Sequence, residues 1–202
     1  MKQAAVRSQL LRLRAQLRAA GDGRDLLDRK REAIVRAIAD RTARCDASRR
    51  DAVAQLGAAR AALRDAQLES GRAAIDAAAL AQRADADLVV ADASIVGVRV
   101  PQVQVDARTF RAEYAPASGT DRLDAAGAAF VRAIGPLAVF AADDTALRRL
   151  RAALARTARR LNALDKQLIP DIRRDIRDLA AALEEEERDE GVRRKLWLTR
   201  AG

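Results

Sequence analysis

The sequence predicts a mainly α fold: two long N- and C-terminal helices in an antiparallel coiled coil, with a small central β-hairpin and short-helix region. Three observations lead there. Charged residues make up 33% of the 202 residues and aromatics only 2%, so the chain lacks the bulky side chains that fill a thick core. Each terminal segment carries one narrow apolar stripe at steps of three and four, the period of a helix face. The middle changes to β-branched residues in partial alternation, the pattern of strands. Three regions follow: 1–74 as an N-terminal shaft helix, 75–143 as a hairpin and short-helix region, and 144–202 as a C-terminal shaft helix.

The first segment has its stripe at Val6, Leu10, Leu13, Leu17, Leu27, Ile34, Ile38, Cys45, Ala52, Leu56, Ala59 and Leu63. Steps of three and four that sum to seven are those of a left-handed supercoil. The other faces are Arg, Asp, Gln and Ala, and Ala, Leu and Arg are strong helix formers. Gly21-Asp22-Gly23 interrupts the pattern. Two glycines cost a helix roughly 1–2 kcal/mol against alanine, so a bend, or close packing by another backbone, is expected there.

In the centre, Leu88–Val90 and the run from Ile95 to Val105 read as strand or hairpin. Gly97 and Pro101 confine it to an edge or a bulged pair. Residues 115–121 read as a loop around Pro116, Ser118 and Gly119. Leu123–Ile134 reads as a short helix stopped by Gly135-Pro136, with a further helical stretch, Leu137–Ala142, joining the last segment.

That last segment has its stripe at Leu147, Leu150, Leu154, Thr157, Leu161, Leu164, Leu168, Ile172, Ile176, Leu179 and Leu183. Asp143 or Asp144 is placed to cap its start. Pro170 lies in the interior, where it removes a hydrogen bond and clashes with the preceding turn. A kink is expected there, with the stripe continuing in phase. Neither terminal stripe can be buried alone; antiparallel packing buries both.

The chemistry on offer is sparse. There is no histidine and one cysteine, which removes the commonest general base, zinc clusters and Cys-His or Ser-His nucleophiles. No phosphate-cradling glycine motif is present, and neither a cofactor nor a metal is expected. Cys45 reads as a small seam residue in a reducing compartment. Glu184–Glu187 reads as a solvated face, because consecutive helical residues point in different directions. Trp197 reads equally as an interface anchor or as the last apolar contact of the helix pair. No uninterrupted run of about 18 apolar residues is seen, so no membrane helix is expected, and the start of the chain lacks the apolar stretch of a signal peptide. The net charge of +9 is concentrated in the terminal segments: the first twenty residues hold five basic groups and no acid. A basic rod suits an acidic partner surface. Nucleic acid is the alternative partner, but binders of that kind interleave aromatics or present a compact recognition helix, and neither is seen.

Three blocks carry a family resemblance. Ala20-Gly21-Asp22-Gly23-Arg24-Asp25-Leu26-Leu27-Asp28-Arg29-Lys30-Arg31 resembles A-x-x-G-x-x-L-L-x-x-K-R, matching at Gly23, Leu26, Leu27, Lys30 and Arg31. Gly97-Val98-Arg99-Val100-Pro101 resembles G-V-x-[VI]-P, matching at Gly97, Val98 and Pro101. Thr157–Asp165 with Leu168-Ile169-Pro170 resembles T-x-R-R-V-N-A-L-E followed by I-P, matching at Arg159, Arg160, Asn162, Ala163, Leu164, Ile169 and Pro170. Together they resemble the D subunit of the V-type/A-type rotary ATPases (ATP synthases), the central rotor shaft. The acidic Glu184–Glu187 run and basic Arg193–Lys195 also resemble that family's ending. Ala5-Val6 stands where the family has Pro-Thr, and Gly191-Val192 where it has an aromatic pair.

The resemblance implies a noncatalytic central-stalk subunit without an active site of its own. It would transmit torque between an A/B catalytic hexamer and an ion-translocating membrane ring, in ATP synthesis or in ATP-driven H⁺ or Na⁺ transport. Implied partners are the hexamer, the F subunit and the funnel subunit on the membrane rotor ring, with no direct contact to nucleic acid. The implied location is cytoplasmic, peripheral at the inner face of the cell membrane, with membrane association only through the complex. Arg7, Arg12, Arg14, Arg193, Arg194 and Lys195 are the candidate hexamer contacts. The rival readings are a stalk of another ATPase, such as the F-type gamma subunit or a secretion-ATPase stalk, and a basic coiled-coil nucleic-acid binder.

Overall fold

The computed structural model describes residues 2–82, 86–107, 111–114 and 120–200. Helix α1 spans Lys2–Ala81, strand β1 Ala86–Ile95, strand β2 Val98–Ala107 and helix α2 Asp121–Ala163; a π-helical turn at Leu164–Leu168 leads into helix α3, Ile169–Arg200. The chain divides into two compact units, residues 1–32 with 154–202, and residues 33–153.

In the first unit the start of α1 runs antiparallel to α3 and the end of α2. Arg7 pairs with Glu187 at 2.7 Å and Arg24 with Asp165 at 2.9 Å, so numbers rise on one helix as they fall on the other. The stripe residues Leu10, Leu13, Leu17 and Leu27 face inward, half-buried. Leu161, Ile169, Ile172 and Leu183 are buried opposite them. Through Gly21-Asp22-Gly23 the backbone stays helical, and a Cβ at either glycine would meet nothing within 4 Å. The expected close approach does not occur, and two glycines within one turn leave the helical backbone unbroken because the packed stripe on both sides outweighs them.

In the second unit, α1 and α2 again run antiparallel, tied by Arg41–Asp143 and Glu69–Arg122 ion pairs. The α1 seam is Ile34, Cys45, Ala52, Ala59 and Ala66, all buried. The non-helical backbone within α1 is at Gly71, with φ 75 and ψ 163, a conformation open essentially to glycine alone. The last turns of α1, with Ile75 and Ala78, pack there against Leu123 and Ala126 of α2. The N-terminal helix thus continues past the expected end near residue 74, but only after this break.

Helix α2 starts at Asp121, close to the expected short helix at Leu123, and runs on without a stop into the expected C-terminal segment. Thr120 caps it, its Oγ1 accepting from the Leu123 N–H at 3.3 Å. Asp143 and Asp144, the expected caps, lie mid-helix. Gly135-Pro136 does not stop the helix. Proline's fixed φ is itself helical, and the clash it normally makes with the preceding Cβ is absent when that residue is glycine. Of the expected loop at 115–121, residues 115–119 lie outside the described residues. Within the helix that begins at Asp121 an 18-residue window reaches a mean hydropathy of 1.7, enough by length and composition to cross a bilayer. The expectation rested on an uninterrupted run; this window passes on its mean hydropathy. Core helices pass the same test, but only 22% of this window is buried, with Ala126, Ala129 and Ala133 among the buried residues of α2.

The hairpin forms where the alternating residues predict it. Strands β1 and β2 pair antiparallel from Ala86↔Ala107 to Ile95↔Val98. Gly97, expected inside a strand, instead makes the turn with Val96, both at positive φ (72 and 52). A two-residue turn of that hand matches the strands' twist. Pro101 sits in β2 of this two-stranded sheet, where both strands are edges. Val100 is buried beneath the hairpin.

Candidate functional site

The first and third sequence blocks lie far apart in the chain and face each other in the first unit. Arg24 donates from Nε to Asp165 at 2.9 Å and also pairs with its neighbour Asp25 at 3.0 Å. The Asp165 hydrogen bond, then that of Asp25, holds the Arg24 proton more firmly than usual. Leu27 lines a groove of about 520 Å³ with Arg160, Ala163, Leu164, Gln167, Leu168 and Asp171. Leu26, Lys30, Arg31, Arg159, Arg160, Asn162 and Ala163 are exposed, and Arg31 pairs with Asp28 at 2.8 Å. Ile169 is buried and Pro170 half-buried. The matched positions are therefore of two kinds: a few hold the helices in register, and the rest form a solvent-facing surface.

The second block is the hairpin turn in the second unit. Gly97 takes the positive φ of the turn, Val98 and Pro101 are half-buried, and Val100 is buried. Arg149 of α2 pins the hairpin, donating to the Arg99 carbonyl at 3.2 Å and lying 3.9 Å from the Asp92 carboxylate.

The Pro170 region differs from the expected simple kink. The five residues before α3 form a π-turn, closed by the Ile169 N–H donating to the Leu164 carbonyl. Such a turn holds one residue more than an α-turn, so the strict seven-residue repeat is broken here, while Ile172, Ile176, Leu179 and Leu183 stay on the inner face as expected. Leu168, expected inside, is 47% exposed, and its neighbour Ile169 takes the seam at 9%. The signal was present in the spacing: Leu164, Leu168, Ile172 and Ile176 follow at three successive fours, where a seven-residue repeat alternates threes and fours.

Among the candidate hexamer contacts, Arg7, Arg12, Arg14, Arg193 and Lys195 are exposed; the Arg194 side chain lies outside the described residues. They come from the same end of the antiparallel pair, but Arg7 is engaged with Glu187. Glu184–Glu187 is exposed throughout, with Glu185 bound to Arg188 at 3.3 Å. Val192, Leu196 and Trp197 are exposed near the end of α3, Trp197 at 71%.

Sequence reasoning missed one feature, a buried ion pair. Arg41 and Asp143 meet at 3.4 Å with side chains 13% and 8% exposed, and Arg41 Nε makes no hydrogen bond. Nothing in the local pattern marks it, since Arg and Asp are common on every face. Among the described residues, no group of three or more His, Cys, Asp or Glu side chains could hold a metal ion. Cys45 is buried in the seam, and that burial, followed by Asp144 and Asp143, pushes its thiol above the usual value.

Paired long helices with a pinned two-stranded hairpin define a mainly helical protein built on antiparallel helix pairs. Comparison with known proteins gives the family. The family model for the ATP synthase D subunit matches residues 9–198, and the chain belongs to that family. It is similar to the V-type ATP synthase D subunit of Deinococcus radiodurans, 31% identical over 189 residues, covering 94% of this chain and 84% of the relative. It is similar also to the V-type ATP synthase D subunit of Thermotoga neapolitana, 29% identical with 96% of each chain covered. The A-type ATP synthase D subunit of Pyrococcus furiosus is 28% identical, over 96% of this chain and 92% of that one.

Proposed function

We propose that this chain is the central-stalk rotor component of a membrane-associated V/A-type ATP synthase. It transmits torque between an A/B catalytic hexamer and an ion-translocating membrane ring and carries no active site of its own. The observation that supports this best is the facing of two motif blocks 141 residues apart in the chain, joined by the Arg24–Asp165 pair. A shaft must keep two helices in register under load, and a cross-helix ion pair flanked by an apolar stripe does that. The exposed cations Arg12, Arg14, Arg193 and Lys195 at one end of the pair suit acidic surfaces of the hexamer, and exposed Trp197 suits an interface anchor. The F subunit and the funnel subunit are the other partners of this reading, and the complex would place the chain peripherally at the cytoplasmic face of a membrane.

The test is co-elution of the full chain with the cognate A/B hexamer, with and without the F subunit, while ATP hydrolysis is followed in the same fractions. One copy per hexamer with altered hydrolysis is the expected result. No binding, together with salt-sensitive retention on nucleic acid, sinks the reading.

A further inference from the structure

We propose that the π-turn Leu164–Leu168, with the glycine-bearing stretch of α1 that faces it, is a compliant joint at which the helix pair yields in twist. Its use as such rests on the rotor reading, whereas its existence is a property of the chain. The hydrogen-bond ladder is weakened at this level in two ways. The Ile169 N–H reaches back to Leu164, wrapping an extra residue into the turn, and Pro170, next in line, has no N–H to donate. None of the five residues of the turn is buried, so packing does not compensate. On the facing helix, Gly21 and Gly23 sit beside Arg24, which bonds Asp165 within the turn. A Cβ at either glycine would meet nothing within 4 Å, so no close approach requires glycine there. Their effect is to lower the local helix stability. Both helices of the pair are thus weak at the same height, while the ion pair keeps them from separating.

The sequence also bounds where the joint can lie. Without the extra residue, the seven-residue repeat running through Thr157 and Leu161 would carry Asp171, Asp175 and Asp178 into the seam. With it, the seam receives Ile169, Ile172, Ile176, Leu179 and Leu183. Placed one turn earlier, it would bring Asn162 and Asp165 inward. The extra residue must therefore fall between Leu161 and Asp171 if polar groups are to stay out of the seam, which confines the compliance to this stretch.

Two variants test this. Deleting Lys166 and replacing Pro170→Ala restores a continuous α-ladder and keeps the apolar seam, because one residue is removed between Leu161 and Ile169. Gly21→Ala with Gly23→Ala stiffens only the facing helix. In the full chain, hydrogen exchange of amides 166–169 is expected to be about tenfold faster than in the α2 turns at residues 150–157, and the deletion variant should abolish the difference. Equal exchange in the unaltered chain overturns the joint. In the reconstituted rotary complex, both variants should assemble and hydrolyse ATP like the unaltered chain, with a torsional stiffness, read from bead fluctuations, raised at least about twofold by the deletion. Unchanged stiffness in an assembled complex overturns the joint as well. Failure of the unaltered chain to assemble counts against the rotor reading instead, and leaves the joint to be decided by exchange.

Discussion

At the scale of single residues, one backbone position holds a conformation that its side chain resists. Val96 sits at φ 52, left-handed space that costs a β-branched residue about 1–2 kcal/mol. The turn's hand demands it, and Asn-Gly would meet that demand without strain. Val96→Asn should raise stability by about 1 kcal/mol in urea unfolding, with the hairpin register unchanged. A second residue effect concerns pH. Tyr114 donates its hydroxyl proton to Asp124, and burial, then that bond and the Asp124 charge, push the phenol well above its ordinary value. The folded state thus favours the protonated form. Its contribution is fully present below the unfolded value of about 10 and is lost as pH rises toward the folded one. Urea midpoints compared at pH 8 and pH 11 should fall, and Tyr114→Phe should reduce that fall.

At the scale of the element, the second unit poses a register problem. Its α1 seam repeats Cys45, Ala52, Ala59 and Ala66 at intervals of seven, and a uniform alanine seam packs almost equally well after a slip. The Arg41–Asp143 pair breaks that degeneracy, since any slip buries both charges unpaired. Arg41→Ala should cost about 3–5 kcal/mol by leaving Asp143 buried alone. Arg41→Met with Asp143→Leu should come close to the original stability. Cysteines placed at aligned and slipped positions should then crosslink in more than one register in the double variant and in a single one in the unaltered chain. In the first unit the Arg24–Asp165 pair stands beside a seam of larger side chains, Leu161, Ile169, Ile172 and Leu183, in place of uniform alanine.

At the scale of the whole molecule, the terminal charge is the property most exposed to test. Replacing Arg7, Arg12, Arg14, Arg193, Arg194 and Lys195 by Gln should slow association with the A/B hexamer and flatten its dependence on salt. Arg7 should matter less than Arg12 or Arg14, because Glu187 already engages it. Assembly and coupling unaffected by the full replacement would show that the apolar end, with Val192, Leu196 and Trp197, carries the contact.

The long helices, their inward faces and the hairpin were legible in the sequence because each is written locally, as a period of 3.6 or of 2 in apolar residues. The family blocks were legible for a similar reason: Gly97 and Pro170 occupy positions where few residues fit. Helix ends were less so. Gly135-Pro136 and Asp143 carry the usual marks of a stop and a cap, yet packing on both sides carries α2 straight through them, and its cap, Thr120, was not singled out. What only the tertiary structure decided are the facts that need two segments at once. The Arg41–Asp143 pair, the choice of Ile169 over Leu168 for the seam, and the meeting of Arg24 with Asp165 each depend on the partner helix. A local pattern states which face wants to be dry, but burial, and the free energy that goes with it, is settled only when a second surface arrives to exclude the water.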